Sequence, residues 1–338
     1  MDKGQPKGQQ KGQPPAPYTA PTPPPPERAA FERGADEARA LLADAAARQP
    51  AVADTSPPRM LAIGDSWFAY WPRGDLLDVI EARGLFKVDS LAWAGCTLAE
   101  LFTGRSQDAQ GHELAKNDPR RVPQTQRFVD TLRAMPEAQR KRLTVIAVSA
   151  GGNDVAGDPA TIRKLMLDFK TSGKKGLDPA GVAQVIDGRM RDDYARLIGL
   201  LDTACRSVLG HSLPIVLHGY DHPVPDGRPA LREPWLQPTL EALGYTALDD
   251  RRDLMKALID ALNAMQVDLR GKLAALGHPH LHHIALTDTL CQNGVDHRLH
   301  WQNELHPSIP TGFALIADRF IEALRGLDLL PKAGQPPA

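Results

Sequence analysis

Residues 60–70 read MLAIGDSWFAY, an apolar run that stops at Gly64-Asp65-Ser66 and continues into large aromatic side chains. Consecutive apolar residues of this length, ended by a turn signal, predict a short strand that is buried on both faces. Ser66 therefore lies where a buried strand gives way to a turn. A hydroxyl at such a position either caps a helix or is held ready to react, and the rest of the sequence has to distinguish the two.

Strand-like and helical segments alternate along the chain after this stretch. Four further strands are predicted, at residues 86–95, 142–152, 213–220 and 280–288. Helical periodicity occupies residues 76–84, 192–209, 254–276 and 314–327. This alternation, with right-handed crossovers, predicts an α/β fold with a doubly wound, mostly parallel sheet.

The two ends of the chain differ in composition from the part between them. Residues 1–28 repeat the triplet KGQ and contain a run of prolines, which predicts a disordered tail with polyproline II stretches. No basic motif flanks these prolines to indicate a proline-binding partner, so the partner of the tail is unknown. We interpret residues 29–57 as a peripheral helix and linker, residues 58–330 as one domain, and residues 331–338 as a second disordered tail.

The overall composition excludes several classes of function. The chain has 338 residues, a formal net charge of −1 and a pI near 6.8, so it lacks the basic footprint of nucleic-acid binding. No apolar stretch approaches the roughly 18 residues that a membrane-spanning helix needs. The lysine-containing N-terminus has no apolar signal core, and the three cysteines form no CxxC pair. A cytoplasmic location is therefore expected, with export by another route left open.

Polar residues suited to one kind of chemistry follow the predicted strands. Ser66 follows the first strand, Gly95 the second and Asn153 the third, while His306 lies just before the last helix. The carboxyl ends of parallel strands gather active groups at one edge of the sheet, so these residues should lie close together. An imidazole can take the proton of a serine hydroxyl near neutral pH. The N–H groups of Ser66 and Gly95 and the amide of Asn153 could stabilise an oxyanion. These are the parts needed for acyl transfer from an ester.

The same residues fall in four short blocks, GDSW (64–67), WAGCTL (93–98), GGND (151–154) and NELHP (303–307). In this order the blocks resemble those of the SGNH hydrolases, also called GDSL esterases/lipases, and the resemblance spans residues 58–325. It implies a three-layer α/β/α sandwich with a five-stranded parallel sheet, of the SGNH/flavodoxin-like type.

The resemblance also implies an activity. Ser66 would be the nucleophile and His306 the base of a serine esterase, with an oxyanion hole made by Ser66, Gly95 and Asn153. The expected substrate is a small-molecule ester that carries a short acyl group on a polar carrier, and no cofactor is required. The same residues would serve acyl transfer to an alcohol or sugar acceptor, and a non-catalytic binding protein could retain the same fold.

One position departs from the family pattern. The last block usually places an aspartate three residues before the histidine, where this chain has Asn303. In a Ser-His-Asp triad, an asparagine that selects the wrong tautomer lowers turnover about 10⁴-fold. Three interpretations follow. Asn303 or a backbone carbonyl orients His306, a carboxylate of Glu304, Asp296 or Asp288 supplies the charge, or the enzyme is crippled.

A second serine competes for the role of nucleophile. Residues 147–151 read AVSAG and resemble the nucleophile elbow of α/β-hydrolases, with Ser149 at the centre and alanine in place of the first glycine. An elbow serine leads directly into a helix, whereas the residues after Ser149 resemble a loop. Ser66 is therefore the preferred nucleophile.

Two further stretches could contribute ligands or substrate contacts. Alternation along HPHLHH (278–283) would place several histidines on one strand face, but no carboxylate or cysteine lies at a metal-ligand spacing, so no metal site is predicted. The turn-rich residues 221–234 follow the fourth strand and should border the site. The candidates for substrate contact are Trp67, His222 and Trp235.

Overall fold

The computed structural model describes residues 25–43, 57–108, 111–229, 234–290 and 296–330. The predictions for residues 1–24, 44–56 and 331–338 fall outside these ranges. The strands are β1 (Arg59–Gly64), β2 (Lys87–Ser90), β3 (Leu143–Ser149), β4 (Ile215–His218) and β5 (Leu281–Ile284). The α-helices are α1 (Pro26–Leu42), α2 (Leu76–Ala82), α3 (Leu98–Thr103), α4 (Gln124–Ala134), α5 (Glu137–Arg140), α6 (Gly152–Ala156), α7 (Pro159–Leu165), α8 (Phe169–Ser172), α9 (Pro179–Gln184), α10 (Arg191–Leu209), α11 (Leu236–Ala242), α12 (Leu248–Ala275) and α13 (Thr311–Gly326).

The five strands form one parallel sheet in the order β2-β1-β3-β4-β5. The central strands β1, β3 and β4 are buried along nearly their whole length, as their continuous apolar runs predict. The edge strand β2 is shorter than predicted and ends at Ser90. Beyond it the chain still follows β1 through the hydrogen bonds that Leu91 and Trp93 donate to the carbonyls of Ala62 and Gly64.

Helices cover both faces of the sheet. Helix α13 packs on α2 in one layer, and α10 packs against α1, α4 and α12 in the other. Each long helix buries one apolar stripe against this core, which is what stabilises helices of this length in water. The predicted α/β fold, a three-layer sandwich around a five-stranded parallel sheet, is confirmed.

Helix α1 lies unusually close to α10. A Cβ atom on Gly34 of α1 would come within 1.7 Å of the carbonyl oxygen of Arg196, and a Cβ on Gly199 of α10 within 2.0 Å of that of Phe31. Each helix therefore needs a residue without a side chain at the point where its neighbour's backbone crosses it.

No helix among the described residues is long and apolar enough to cross a membrane.

Candidate active site

Ser66 and His306 meet at the carboxyl edge of the sheet. Ser66 lies two residues beyond the end of β1 and is buried. His306 lies in the loop between β5 and α13, 240 positions later, and its Nε2 atom is 2.7 Å from Ser66 Oγ. This is the separation of a direct hydrogen bond between a hydroxyl and an imidazole.

Asn303 fixes the orientation of this imidazole. Its Oδ1 atom accepts hydrogen bonds from the backbone N–H groups of Leu305 and His306, both at 2.9 Å, and lies 3.1 Å from His306 Nδ1. Its Nδ2 atom donates to the hydroxyl of Tyr70 at 3.0 Å. Since the oxygen faces the histidine, Nδ1 carries the ring hydrogen and Nε2 keeps a free electron pair for the proton of Ser66.

The imidazole of His306 is held neutral. Burial lowers the pKa of His306 from 6.5 to about 4, and the ring of Tyr70 lies against it with 4.6 Å between centroids. A neutral imidazole is the form that can accept a proton. Asn303 gives this ring a fixed hydrogen-bond acceptor without a negative charge.

The three carboxylates considered from the sequence have other partners. The carboxylate of Glu304 is fully buried and accepts four backbone N–H groups, from Gly227, Trp235, Leu236 and Gln237, at 2.6–3.1 Å. It thereby ties the loop that carries His306 to the first turn of α11. The carboxylate of Asp296 pairs with Arg298 at 2.7 Å, and that of Asp288 lies 3.6 Å from the Nδ1 atom of His222.

The two predicted oxyanion donors outside Ser66 lie on adjoining segments. The Nδ2 atom of Asn153 donates to the carbonyl of Cys96 at 3.1 Å, and Arg105 donates to the carbonyl of Gly95. Gly95 has a φ of 75°, while a Cβ atom there would clear Arg105 by 3.6 Å. The backbone conformation, rather than lack of room, therefore favours glycine at this position.

A small cavity of about 40 Å³ opens beside Ser66 and His306. Among the described residues, its lining consists of Asp65, Ser66, Trp67, Gly152, Asn153, Ala156, Tyr220, Asp221, Pro223, Ile259, Leu305 and His306. Trp67 and Asn153 thus share one cavity with the Ser66–His306 pair, whereas Gly95, His222 and Trp235 lie outside its lining. The imidazole of His222 is buried and lies 2.8 Å from Asp260, and the backbone of Trp235 donates to Glu304.

A second hydrogen-bonded cluster lies beneath Ser66. The buried carboxylate of Asp65 accepts hydrogen bonds from the Ser149 hydroxyl at 2.6 Å, the Trp67 backbone at 3.1 Å and the Tyr220 hydroxyl. Burial, only partly offset by these bonds, raises the pKa of Asp65 to about 6. This cluster fixes the turn that carries Ser66, because it joins the ends of β1, β3 and β4.

The prediction that a loop follows Ser149 is wrong. Helix α6 begins at Gly152, and Gly151 precedes it with a φ of 98°, so two residues suffice to turn the strand into a helix. The environment of Ser149 nevertheless differs from that of an exposed elbow nucleophile. Its side chain is fully buried, and its hydroxyl donates to Asp65.

Sequence reasoning missed several residues that position the site. Asp65 lies in the quoted GDSW block and Asp154 in the GGND block, where its carboxylate accepts the N–H of Leu98 at 2.8 Å. The sequence could therefore have indicated these two acidic residues, because each lies in the same block as a predicted site residue. Tyr70 and Arg105 carry no such signal, because each acts on a residue that only folding brings close.

The structure has a five-stranded parallel sheet, and the four sequence blocks follow its strands in chain order. The chain resembles the SGNH hydrolases. No protein-family model matches the chain, and no curated protein matches it.

Among solved structures, a GDSL-like lipase from Bacteroides thetaiotaomicron is similar at 12% identity and a TM-score of 0.37, covering 88% of this chain and 98% of that one. A catalytic mutant of an acetylxylan esterase from Geobacillus stearothermophilus is similar at 14% identity and a TM-score of 0.35, covering 80% and 95%. A salicylyl-acyltransferase from a tetracycline biosynthetic pathway is similar at 16% identity and a TM-score of 0.42, covering 82% and 57%. At these similarities, the function has to be inferred from this chain's own side chains.

Proposed function

We propose that this protein is a serine esterase that hydrolyses a small-molecule ester through Ser66 and His306. The observation that carries the proposal is the 2.7 Å contact between Ser66 Oγ and His306 Nε2 beside a cavity. A serine hydroxyl is a weak nucleophile until a neighbouring base takes its proton, and a neutral imidazole with a free Nε2 is such a base.

In the first half of the reaction, Ser66 Oγ attacks the ester carbonyl carbon while its proton passes to His306 Nε2. The carbonyl oxygen becomes an oxyanion. When this intermediate collapses, the bond from the carbonyl carbon to the alcohol oxygen breaks, and the alcohol leaves with the proton from His306. Ser66 then carries the acyl group as an ester.

In the second half, water replaces the alcohol. His306 takes a proton from a water molecule, which attacks the acyl carbon, and the second oxyanion collapses with return of that proton to Ser66 Oγ. The products are a carboxylic acid and the free enzyme, so the net reaction consumes one ester and one water. An alcohol acceptor in place of water would give transesterification by the same steps.

The oxyanion requires hydrogen-bond donors beside Ser66. We assign this role to the backbone N–H groups of Ser66 and Gly95 and to the side-chain amide of Asn153. The support for Asn153 is that it lines the same cavity as Ser66 and that its hydrogen bond to Cys96 holds it there with one N–H left to donate. Loss of one such donor typically lowers turnover about 10²–10³-fold.

The walls of the cavity favour a short acyl group. Ala156, Pro223, Ile259 and Leu305 give it an apolar side, and its volume of about 40 Å³ has room for only a few heavy atoms. We therefore infer that acetyl or butyryl esters fit and that long acyl chains do not.

The proposal is tested by covalent labelling together with ester hydrolysis. A fluorophosphonate should label the native chain once, with the adduct on the peptide that contains Ser66, and p-nitrophenyl acetate should be hydrolysed faster than the octanoate ester. Ser66→Ala should abolish both labelling and turnover. A label that maps to Ser149, or a chain that neither reacts with the probe nor hydrolyses any of these esters, would overturn the proposal.

A further inference from the structure

A second group of histidines lies at the amino ends of the strands, whereas Ser66 lies at their carboxyl ends. His280 immediately precedes the first residue of β5, and His278 lies two positions earlier. Asp202 lies on α10. Because all the strands are parallel, their amino ends lie together. The amino end of β5 is therefore far from the carboxyl ends, where the proposed active site lies.

The three side chains converge on a small volume. The Nε2 atom of His280 lies 3.1 Å from Asp202 Oδ1, and the Nδ1 atom of His278 lies 3.8 Å from Asp202 Oδ2. One ligand-type atom from each of the three residues lies within 4.8 Å of the other two. Zinc binds histidine nitrogen and carboxylate oxygen at about 2.0–2.2 Å, which places neighbouring ligand atoms about 3–3.5 Å apart. The 3.1 Å and 3.8 Å separations from Asp202 lie within a few tenths of an ångström of this range, and the two histidine nitrogens lie within 4.8 Å of each other.

The carboxylate of Asp202 is fully buried, and its polar neighbours are the side chains of His280, Ser212 and Arg206. Its side chain is fully inaccessible to solvent, and neither of its oxygens makes a well-directed hydrogen bond within the described residues. The guanidinium of Arg206 is 2.9 Å from Oδ2, but half of that side chain is exposed. The Nε2 atom of His280 is likewise buried without a well-directed hydrogen bond. A buried charge in this state gains from a cation placed among its neighbours.

The ring of His278 is also held in place from the other side. It stacks on Phe31 of α1 with 3.8 Å between ring centroids. A ligand at this position would therefore connect three parts of the chain: α10 through Asp202, the start of β5 through His280, and α1 through the ring that Phe31 covers.

We propose that Asp202, His278 and His280 form a binding site for a divalent transition-metal ion, with zinc as the best-suited ion. Two neutral nitrogens and one carboxylate oxygen are ligands that zinc accepts, and water would complete a four-coordinate site. The site is structural, since it lies away from the cavity that contains Ser66. Sequence spacing predicted no metal here because the carboxylate comes from a helix almost 80 positions before the histidines.

Metal binding can be measured on the intact chain without reference to any enzymatic activity. The protein is prepared without a polyhistidine tag, treated with a chelator, dialysed, and titrated with Zn²⁺ in a calorimeter. Binding of one ion per chain and a higher melting temperature are expected. Co²⁺ used as a spectroscopic probe should give visible absorption bands of a four- or five-coordinate centre. Absence of stoichiometric binding in both titrations would overturn the proposal.

Matched variants identify the ligands. Asp202→Asn, His278→Ala and His280→Gln should each weaken Zn²⁺ binding by more than the roughly 10–100-fold that loss of an outer-shell partner costs. His282→Gln, which changes a neighbouring histidine of β5 outside the three-residue group, should bind as the native chain does. Circular dichroism checks that each variant is folded, and if Asp202→Asn fails to fold, the two partly exposed histidines carry the test. Undiminished binding in His278→Ala and His280→Gln would refute the assignment.

Substitution of Arg206 tests the direction in which a neighbouring positive charge changes the affinity for Zn²⁺. Its guanidinium lies 2.9 Å from the carboxylate's second oxygen and repels an incoming cation, so Arg206→Gln should tighten Zn²⁺ binding. If Asp202 instead serves only as the ion-pair partner of Arg206, the same change leaves the chain without measurable Zn²⁺ binding and lowers its melting temperature.

Discussion

Two serines end neighbouring strands of the same sheet and differ in almost everything else. Ser66 follows β1 and Ser149 ends β3, where it pairs in register with Gly64. The hydroxyl of Ser66 lies 2.7 Å from an imidazole and on the wall of a cavity. The hydroxyl of Ser149 donates to the carboxylate of Asp65, and its side chain has no exposed surface.

The comparison teaches that the partner of a serine, rather than the motif around it, decides its chemistry. An imidazole can take up the hydroxyl proton and return it, whereas the carboxylate of Asp65 accepts three hydrogen bonds, and the hydroxyl of Ser149 donates one of them. Ser149 thus supports the turn on which Ser66 lies. Each of the four predictions below tests this division of roles.

The largest effect is expected from Ser66→Ala. Loss of the nucleophile should lower kcat for p-nitrophenyl acetate by about 10⁶-fold, the magnitude seen when a serine protease loses its serine. Ser149→Ala, the matched control, should retain turnover within about tenfold and lower the free energy of unfolding by about 1–3 kcal/mol, because Asp65 loses a donor. Steady-state kinetics and urea unfolding of both variants provide the measurement, and the reverse pattern would exchange the two roles.

The second-largest loss of activity is expected from Asn153→Ala, a change just beyond the end of β3. If the amide donates to the oxyanion, kcat falls about 10²–10³-fold while KM changes little, since the interaction strengthens only in the transition state. Asn153→Asp keeps the shape but removes the donor, and it should be at least as impaired. Kinetics with p-nitrophenyl acetate check both variants. A loss of kcat that is accompanied by a lower melting temperature would instead indicate that Asn153 has a structural role.

The partner of His306 is tested through the pH dependence of activity. Burial lowers the pKa of His306 to about 4, so kcat/KM of the native chain should rise as pH increases through about 4. In Asn303→Asp a carboxylate faces Nδ1, favours the imidazolium and raises its pKa by about 1–3 units. The acid limb of the profile should therefore move to higher pH by that amount, with the plateau unchanged or higher.

Matched changes show whether any other carboxylate influences this limb. Asp296→Asn removes an acid that pairs with Arg298, and it should leave the profile of the native chain in place. A limb that moves in Asp296→Asn, or one that stays fixed in Asn303→Asp together with a collapsed plateau, would contradict the role given to Asn303.

The smallest effect is expected from Tyr70→Phe. The change removes the acceptor of the Asn303 Nδ2 atom but keeps the ring that lies against His306. One hydrogen bond of this kind is worth about 0.5–1.5 kcal/mol, so kcat/KM should fall roughly two- to tenfold. Repeating Tyr70→Phe on the Asn303→Asp background gives a double-mutant cycle, and strict additivity of the two effects would show that Tyr70 does not act through residue 303.

The sequence by itself determined the fold and the neighbourhood of the site. The continuous apolar run of β1, the alternation of strands with helices and the four ordered blocks are local patterns, and each reports how its own segment is buried. Parallel strands then place their carboxyl ends at one edge of the sheet, which is why the sequence predicts that Ser66, Asn153 and His306 lie close together.

Only the tertiary structure decided which side chains act on one another. The turn of Asn303 toward His306, the four amides around Glu304 and the burial of Ser149 under Asp65 all depend on contacts between residues that lie far apart or on which way a side chain points. The nearness of Asp202 to His280 is of the same kind. Periodicity records which face of an element is buried, but partner choice depends on how the elements pack, and close packing fixes that for the whole chain at once.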